Sequence, residues 1–336
     1  MRVLITGVGG AIGMHVLAHI MHNTDWEVVG VDSFRHKGYF DRLTEVTKDH
    51  QDWMPRIEII RHDLCAPLTE RQIEHIGQMN HIINLASLSD VQGSIDDPVP
   101  FVRNNMELML NILEYARVVK PKTFLHFSTD EVYGPAPIDG AHKEWDTIIP
   151  SNPYSASKAA QEALAIAWWR SYGVPVIITN TMNNFGETQS PSKFPAMIQQ
   201  RLEKGEVVTI HSTADGQVGT RYYLHSRNAA DAVVFILREL FPTPHTPGHI
   251  DRPDRYHIVG DKQVSNLELA QTIADLMGKK LEIELVNFHD KNPGHDLHYG
   301  LNGDKLAGLG WKSPMGFEES LRNTIEWQKE HPEWLK

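Results

Sequence analysis

The chain has 336 residues, of which 41% are hydrophobic and 22% charged, enough for one large or two smaller domains and too apolar for wholesale disorder. Its 32 Lys and Arg face 43 Asp and Glu, a formal charge of −11, which excludes a surface that steers nucleic acid or anionic lipid; an anionic ligand must be held locally by helix N-termini or placed cations. One cysteine, Cys65, excludes an internal disulfide framework and a cysteine-rich zinc site and implies a reducing, cytoplasmic setting. No apolar run approaches the roughly 18 residues of a membrane span, and strand-like sequence begins at Arg2, so neither a secretory signal nor a membrane partner is expected.

In chain order, Arg2–Thr6, Glu27–Asp32, Ile57–Arg61, His81–Leu85 and Thr123–Ser128 read as buried strands, with helical periodicity over 12–22, 68–77 and 98–119 between them. That alternation predicts an α/β fold with a parallel, doubly wound sheet over residues 1–175. Val176–Asn180 adds a strand, and a helix near 227–240 belongs with the same unit. Residues 181–336 read as a smaller, interleaved α/β substrate-binding lobe, with helices near 194–204, 265–278 and 316–329 and a Pro/Gly loop at Phe241–Gly248.

Gly7, Gly10 and Gly13 form GxxGxxG between the first strand and first helix. Glycine permits the tight turn and close backbone approach that bring a helix N-terminus to a pyrophosphate. Asp32 ends the second strand, 19 residues after Gly13. A carboxylate there accepts from a ribose 2′-hydroxyl and repels a 2′-phosphate, which predicts NAD as cofactor and not NADP.

Tyr154 and Lys158 stand four apart before a strongly helix-forming stretch, so phenol and ammonium share one face. The lysine charge and a cationic nicotinamide both favour phenolate, which would let Tyr154 take a proton from a substrate hydroxyl. Asp130 and Glu131 follow Ser128 and Thr129 at a strand end, where open α/β sheets bind ligands. Two carboxyls beside a hydride site can divide the work of base and acid.

With GxxGxxG, Asp32 and YxxxK together, the chain resembles the extended short-chain dehydrogenase/reductase superfamily along essentially its whole length. That resemblance implies a Rossmann fold and activity on a nucleotide sugar. The segment Ser128-Thr129-Asp130-Glu131-Val132-Tyr133-Gly134 is similar to the active-site segment of the dTDP-glucose 4,6-dehydratases and related UDP-glucose enzymes; epimerases and decarboxylases of the superfamily lack the Asp-Glu pair. By that resemblance Thr129 bonds the sugar 4-OH, Tyr154 deprotonates it with Lys158 beside it, Glu131 removes the C5 proton and Asp130 protonates the departing C6 hydroxyl. The C4 hydride passes to NAD and returns to C6, giving a 4-keto-6-deoxy sugar.

The same resemblance assigns Ala11 and Ile12 to the pyrophosphate, Ser33, Phe34 and Arg35 to the adenosine, and Asp63 and Leu64 to the adenine. Leu85, Ala86, Ser87, Asn104 and Ser128 would line the nicotinamide side. Ser89, Asn183, Lys193, Arg221, Asn266 and His295 match substrate contacts, with Lys193 and Arg221 as phosphate partners. dTDP-glucose is the expected substrate; because Asn292 stands where the family carries arginine and Gln217–Tyr223 departs from its pattern, UDP-glucose or another nucleotide hexose is the alternative. A homodimer through helices 98–119 and 154–171 is also implied. The alternative of another class is a non-catalytic NAD-binding regulator. His15 and His19, and His295-Asp296 near His298, have metal-like spacing but too few ligands nearby, so no metal is expected.

Overall fold

A computed structural model describes residues 1–35, 39–137, 140–287 and 296–336. Its strands in chain order are β1 (Arg2–Thr6), β2 (Glu27–Asp32), β3 (Ile57–Arg61), β4 (His81–Asn84), β5 (Thr123–Thr129), β6 (Val176–Thr181), β7 (Asn184–Phe185), β8 (Val208–Ser212), β9 (Thr220–Tyr222), β10 (Leu224–His225), β11 (Asp254–Ile258), β12 (Gln263–Ser265) and β13 (Ile283–Asn287). The helices used below are α1 (Gly13–Asn23), α2 (Tyr39–Thr47), α3 (Glu70–Ile76), α4 (Val91–Asp96), α5 (Pro98–Val119), α6 (Pro153–Tyr172), α7 (Phe194–Lys204), α8 (Ser226–Glu239) and α9 (Asn266–Met277).

Seven strands pair in parallel in the order β11-β6-β5-β4-β1-β2-β3. Successive side chains on a strand face opposite ways, and β1 shows the consequence. Val3 and Ile5 pack into one core layer with Val16 and Leu17 of α1 and Val233 and Ile236 of α8. Leu4 enters the other, with Leu108 and Ile112 of α5 and Ala165 and Trp169 of α6. Covering both faces explains why these strands read as near-continuous apolar runs.

β11 joins the sheet from deep within the second half of the chain, beyond the strand at 176–180 at which the sequence reading ended it. It forms one edge of the sheet, beside β6, and its residues Arg255 and His257 are polar yet fully buried, so apolar patterning does not mark it as a buried strand. The remaining strands form three two-stranded ladders, β7 with β10, β8 with β13 and β9 with β12. A third core of Phe185, Ile198, Val208, Val264, Ile273 and Phe317 lies among them. The strand order reverses between β1 and β4, the switch point at which doubly wound sheets open a crevice for a dinucleotide.

Candidate active site

Gly7 adopts φ +69°, and a Cβ there would sit 3.0 Å from both Cα and N of Ala86. A Cβ on Gly13 would overlap the Gly7 carbonyl oxygen and come within 2.9 Å of Val8 Cα. The loop therefore presses against the end of β4 while α1 closes onto β1. Helix α1 begins after Ile12 with no side-chain cap and no acidic residue in its first turn; its Met14 N–H is taken by the Gly10 carbonyl at 3.0 Å, and the positive end of the helix still faces the glycine loop, where it suits an anion. Asp32 is buried; its Oδ2 accepts from Gly9 N at 3.0 Å and its Oδ1 from Phe34 N at 2.9 Å. Thr6 Oγ1 accepts from Leu85 N and Ala86 N, both at 3.1 Å, tying the two sides of the switch point together. These features fit a dinucleotide.

On the adenosine side, Arg35 pairs with Asp63 Oδ2 at 3.1 Å and donates to Asn104 Oδ1 at 2.6 Å. Asp63 Oδ1 accepts from Cys65 N, and the Leu64 carbonyl from Asn111 Nδ2. A cleft of about 590 Å³ opens here, lined by Arg35, Cys65, Leu88, Phe101, Arg103 and Asn104. It does not extend over Asp130 and Glu131. Asn105, which the sequence reading passed over in favour of Asn104, is the wholly buried member of the pair. It brackets Leu88, accepting from its N at 2.8 Å and donating to its O at 3.1 Å, and donates to Ser157 Oγ on α6 at 2.9 Å.

The reacting cluster forms where β5 ends and α6 begins. Thr129 Oγ1 donates to Asp130 Oδ1 at 2.8 Å and lies beside the Tyr154 phenol. The other Asp130 oxygen, Oδ2, is buried with no partner, as is Ser128 Oγ. Burial pushes Asp130 up to about 6; burial and the adjacent Asp130 charge push Glu131 up to about 7. Asn152 caps α6 and donates to Glu131 Oε2 at 3.2 Å. Ser94 of α4 receives the Tyr154 N–H at 3.1 Å. The Asn152-Pro153 helix start was the available sequence signal for the first of these; Ser94 offered none.

The Tyr154–Lys158 pair departs from expectation. Lys158 Nζ donates to the Phe127 carbonyl at 2.9 Å, and burial lowers it to about 7, with Glu162 acting in the opposite sense. Burial and the two nearby carboxyls raise the Tyr154 phenol well above its usual value. The side chains alone thus disfavour phenolate, and the downward shift inferred from spacing must come from added positive charge, such as a cationic nicotinamide.

Of the expected substrate residues, Lys193 donates to the Ser89 carbonyl at 3.1 Å, bringing those two together. Arg221 bonds the carbonyls of Thr220, Asp296 and Leu297 and lies 4.4 Å over the Tyr299 ring. Its charge reaches both Asp130 and Glu131, and that of Lys193 reaches Glu131. Asn183 keeps a buried, unpartnered Oδ1, while Asn266 Oδ1 accepts from Tyr223 at 2.9 Å. Ser33 is half-buried beside Asp32. His295 and Asn292 lie outside the described residues. Among the described residues no group of three His, Cys, Asp or Glu is arranged to hold a metal.

Residues 3–248 match the model of the NAD dependent epimerase/dehydratase family. The chain belongs to that family. It is 33% identical to the dTDP-glucose 4,6-dehydratase of Shigella flexneri, an alignment covering 100% of this chain and 95% of that protein. It is 32% identical to the dTDP-glucose 4,6-dehydratase of Neisseria meningitidis serogroup B, covering 99% and 94%. Among solved structures, dTDP-glucose 4,6-dehydratase from Streptomyces venezuelae, crystallised with NAD, superposes with TM-score 0.86 at 27% identity over 100% of both chains. The UDP-glucose 4-epimerase of Thermus thermophilus with NAD gives 0.82 at 25%, covering 98% of this chain and 99% of that one. Dehydratases and epimerases of the family thus share this fold, and the reaction must be argued from the residues at the site.

Proposed function

We propose that this chain is an NAD-dependent hydro-lyase that converts dTDP-glucose to dTDP-4-keto-6-deoxyglucose. The observation that carries the reading is the Asp130–Glu131 pair, both carboxyls raised toward neutrality beside the Tyr154 phenol. Full-length similarity to dTDP-glucose 4,6-dehydratases supports it.

Bound along the glycine loop, NAD supplies the acceptor for the C4 hydride and its return to C6, so no external reductant is consumed. Thr129 orients the 4-hydroxyl and Tyr154 takes its proton. Oxidation at C4 acidifies the neighbouring C5–H, and Glu131 removes that proton. Asp130 protonates the C6 hydroxyl as it leaves as water, its Oδ2 being buried with no hydrogen-bond partner of its own. Glu131 is raised further than Asp130, to about 7 against about 6, so a proton shared by the pair near neutral pH must pass from Glu131 to Asp130 before elimination. Lys193 and Arg221 hold positive charge beside the pair and suit the diphosphate side of the substrate.

The active form is proposed to be a homodimer through α5 and α6, which pack together and leave Val99, Leu110, Val118 and Tyr172 exposed. The single cysteine is in keeping with a cytoplasmic enzyme. Incubation with dTDP-glucose and separately UDP-glucose, followed by mass spectrometry, tests the reading. Loss of one water from dTDP-glucose is expected; loss from UDP-glucose alone would reassign the nucleotide, and loss from neither would overturn the activity.

A further inference from the structure

Two charged side chains that this chemistry does not use are buried beside it. Glu162 lies on α6 one turn beyond Lys158, Arg255 lies on β11, and both are 0% exposed. Arg255 Nη2 donates to Glu162 Oε2 at 2.6 Å and Nη1 to the Tyr133 hydroxyl at 2.9 Å. The guanidinium carbon sits 4.2 Å over the Trp145 ring. The second Glu162 oxygen accepts from Asn180 Nδ2 at 2.7 Å, and the same amide donates to the Thr129 carbonyl at 3.0 Å. An unbroken chain of hydrogen bonds therefore runs from Arg255 through Glu162 and Asn180 to Thr129, whose side chain meets both Asp130 and Tyr154.

Stability alone explains such a pair poorly, because buried ion pairs replaced by apolar residues of similar volume are often neutral or better. The Lys158 ammonium supplies a reason. It is fully buried with one hydrogen bond, to Phe127 O. The groups facing it are Glu162 on its own helix, His126 of β5, Tyr154 one turn earlier on α6, and Arg255 of β11 behind Glu162. Burial, Lys158 and Arg255 hold His126 neutral, so Glu162 is the carboxylate that opposes the cost of that ammonium.

We propose that Glu162, held by Arg255 and Asn180, is a positioning residue for the dehydration: it carries the countercharge that keeps Lys158 protonated and fixes Thr129 at the head of the acid–base pair. The proposal rests on the dehydratase reading, in which the Lys158 charge assists Tyr154.

The test is the pH profile of kcat for water loss from dTDP-glucose, with NAD affinity and Tm measured alongside, in wild type, Glu162→Gln, Glu162→Asp and the double variant Glu162→Gln/Arg255→Met. Glu162→Gln should move the alkaline limb, which reports Lys158 deprotonation, down by about one pH unit or more, with kcat affected more than KM. Glu162→Asp, which keeps the charge, should keep the limb. The double variant leaves neither member of the Glu162–Arg255 pair without its partner and should fold. Its limb should lie between those of wild type and Glu162→Gln, because Glu162 acts on the ammonium directly and Arg255 is bonded to Glu162. If wild type turns over and the limb stays put in the double variant, and in Glu162→Gln where that variant folds, the positioning role is overturned. A folded wild type with no dehydration overturns the dehydratase reading and removes this proposal with it.

Discussion

Glu131→Gln should stabilise the protein at alkaline pH while abolishing water loss from the sugar. Burial and the Asp130 charge hold the Glu131 carboxyl at about 7 in the folded chain, against an ordinary 4.5. Between those two values the native state keeps a proton that the unfolded chain has released. Stability from this group is therefore complete below the unfolded pKa and lost as pH rises through the folded one. A displacement of this size corresponds to roughly 3 kcal/mol. For a chain of 336 residues that is about 4 °C in Tm. Glutamine preserves the shape and can still accept the Asn152 hydrogen bond that Glu131 Oε2 accepts. Calorimetry of both holoproteins at about pH 5 and about pH 8.5 should show a gap favouring the variant that widens with pH toward that value. A variant that tracks wild type at both pH values, or melts lower at the alkaline one, would refute the claim that burial holds this carboxyl against ionisation.

Three further perturbations separate the parts of the site. Tyr154→Phe should cut turnover by about 10²-fold or more while moving Tm by no more than about 2 °C, read by steady-state kinetics and thermal melts. Asp130→Asn should leave C4 oxidation intact and block elimination, so that reduced-nicotinamide absorbance builds up on mixing with substrate; an unchanged rate of water loss would remove Asp130 from its acid role. Gly13→Ala places a methyl against backbone on two sides and should cost about 1–3 kcal/mol with a clear loss of NAD affinity, measured by denaturation and calorimetric titration.

The strands β1, β2 and β4 to β6 and the glycine turn were legible because they rest on local rules: continuous apolar runs for strands buried on both faces, and glycine where φ is positive or a Cβ cannot fit; β3 was legible as a strand but not as buried, because it is the sheet's other edge, with Ile59 exposed. The positions of Asp32, Tyr154 and Lys158 were legible because they follow from spacing along one strand end and one helix face. β11 was not, since Arg255 and His257 can be buried on this edge strand only once Glu162, Tyr133 and Asn302 surround them. Asn105 and Asn152 were missed for the same reason: a buried amide gains its function from partners more than 15 residues away, and no periodicity announces it. The tyrosine–lysine spacing put both groups on one helix face, but it carried no sign of the burial and the two carboxyls that raise the phenol, so the phenolate it expects depends on the cationic nicotinamide.

The central claim is an internal oxidation, elimination and return carried by Tyr154, Glu131 and Asp130. Incubating the purified protein with dTDP-glucose in D₂O without added reductant, and reading the product by NMR, tests it most directly. The account predicts a product lighter by one water, with the original C4 hydrogen at C6 and deuterium at C5. A product that keeps its water, or is inverted at C4 with no solvent deuterium at C5, would contradict it.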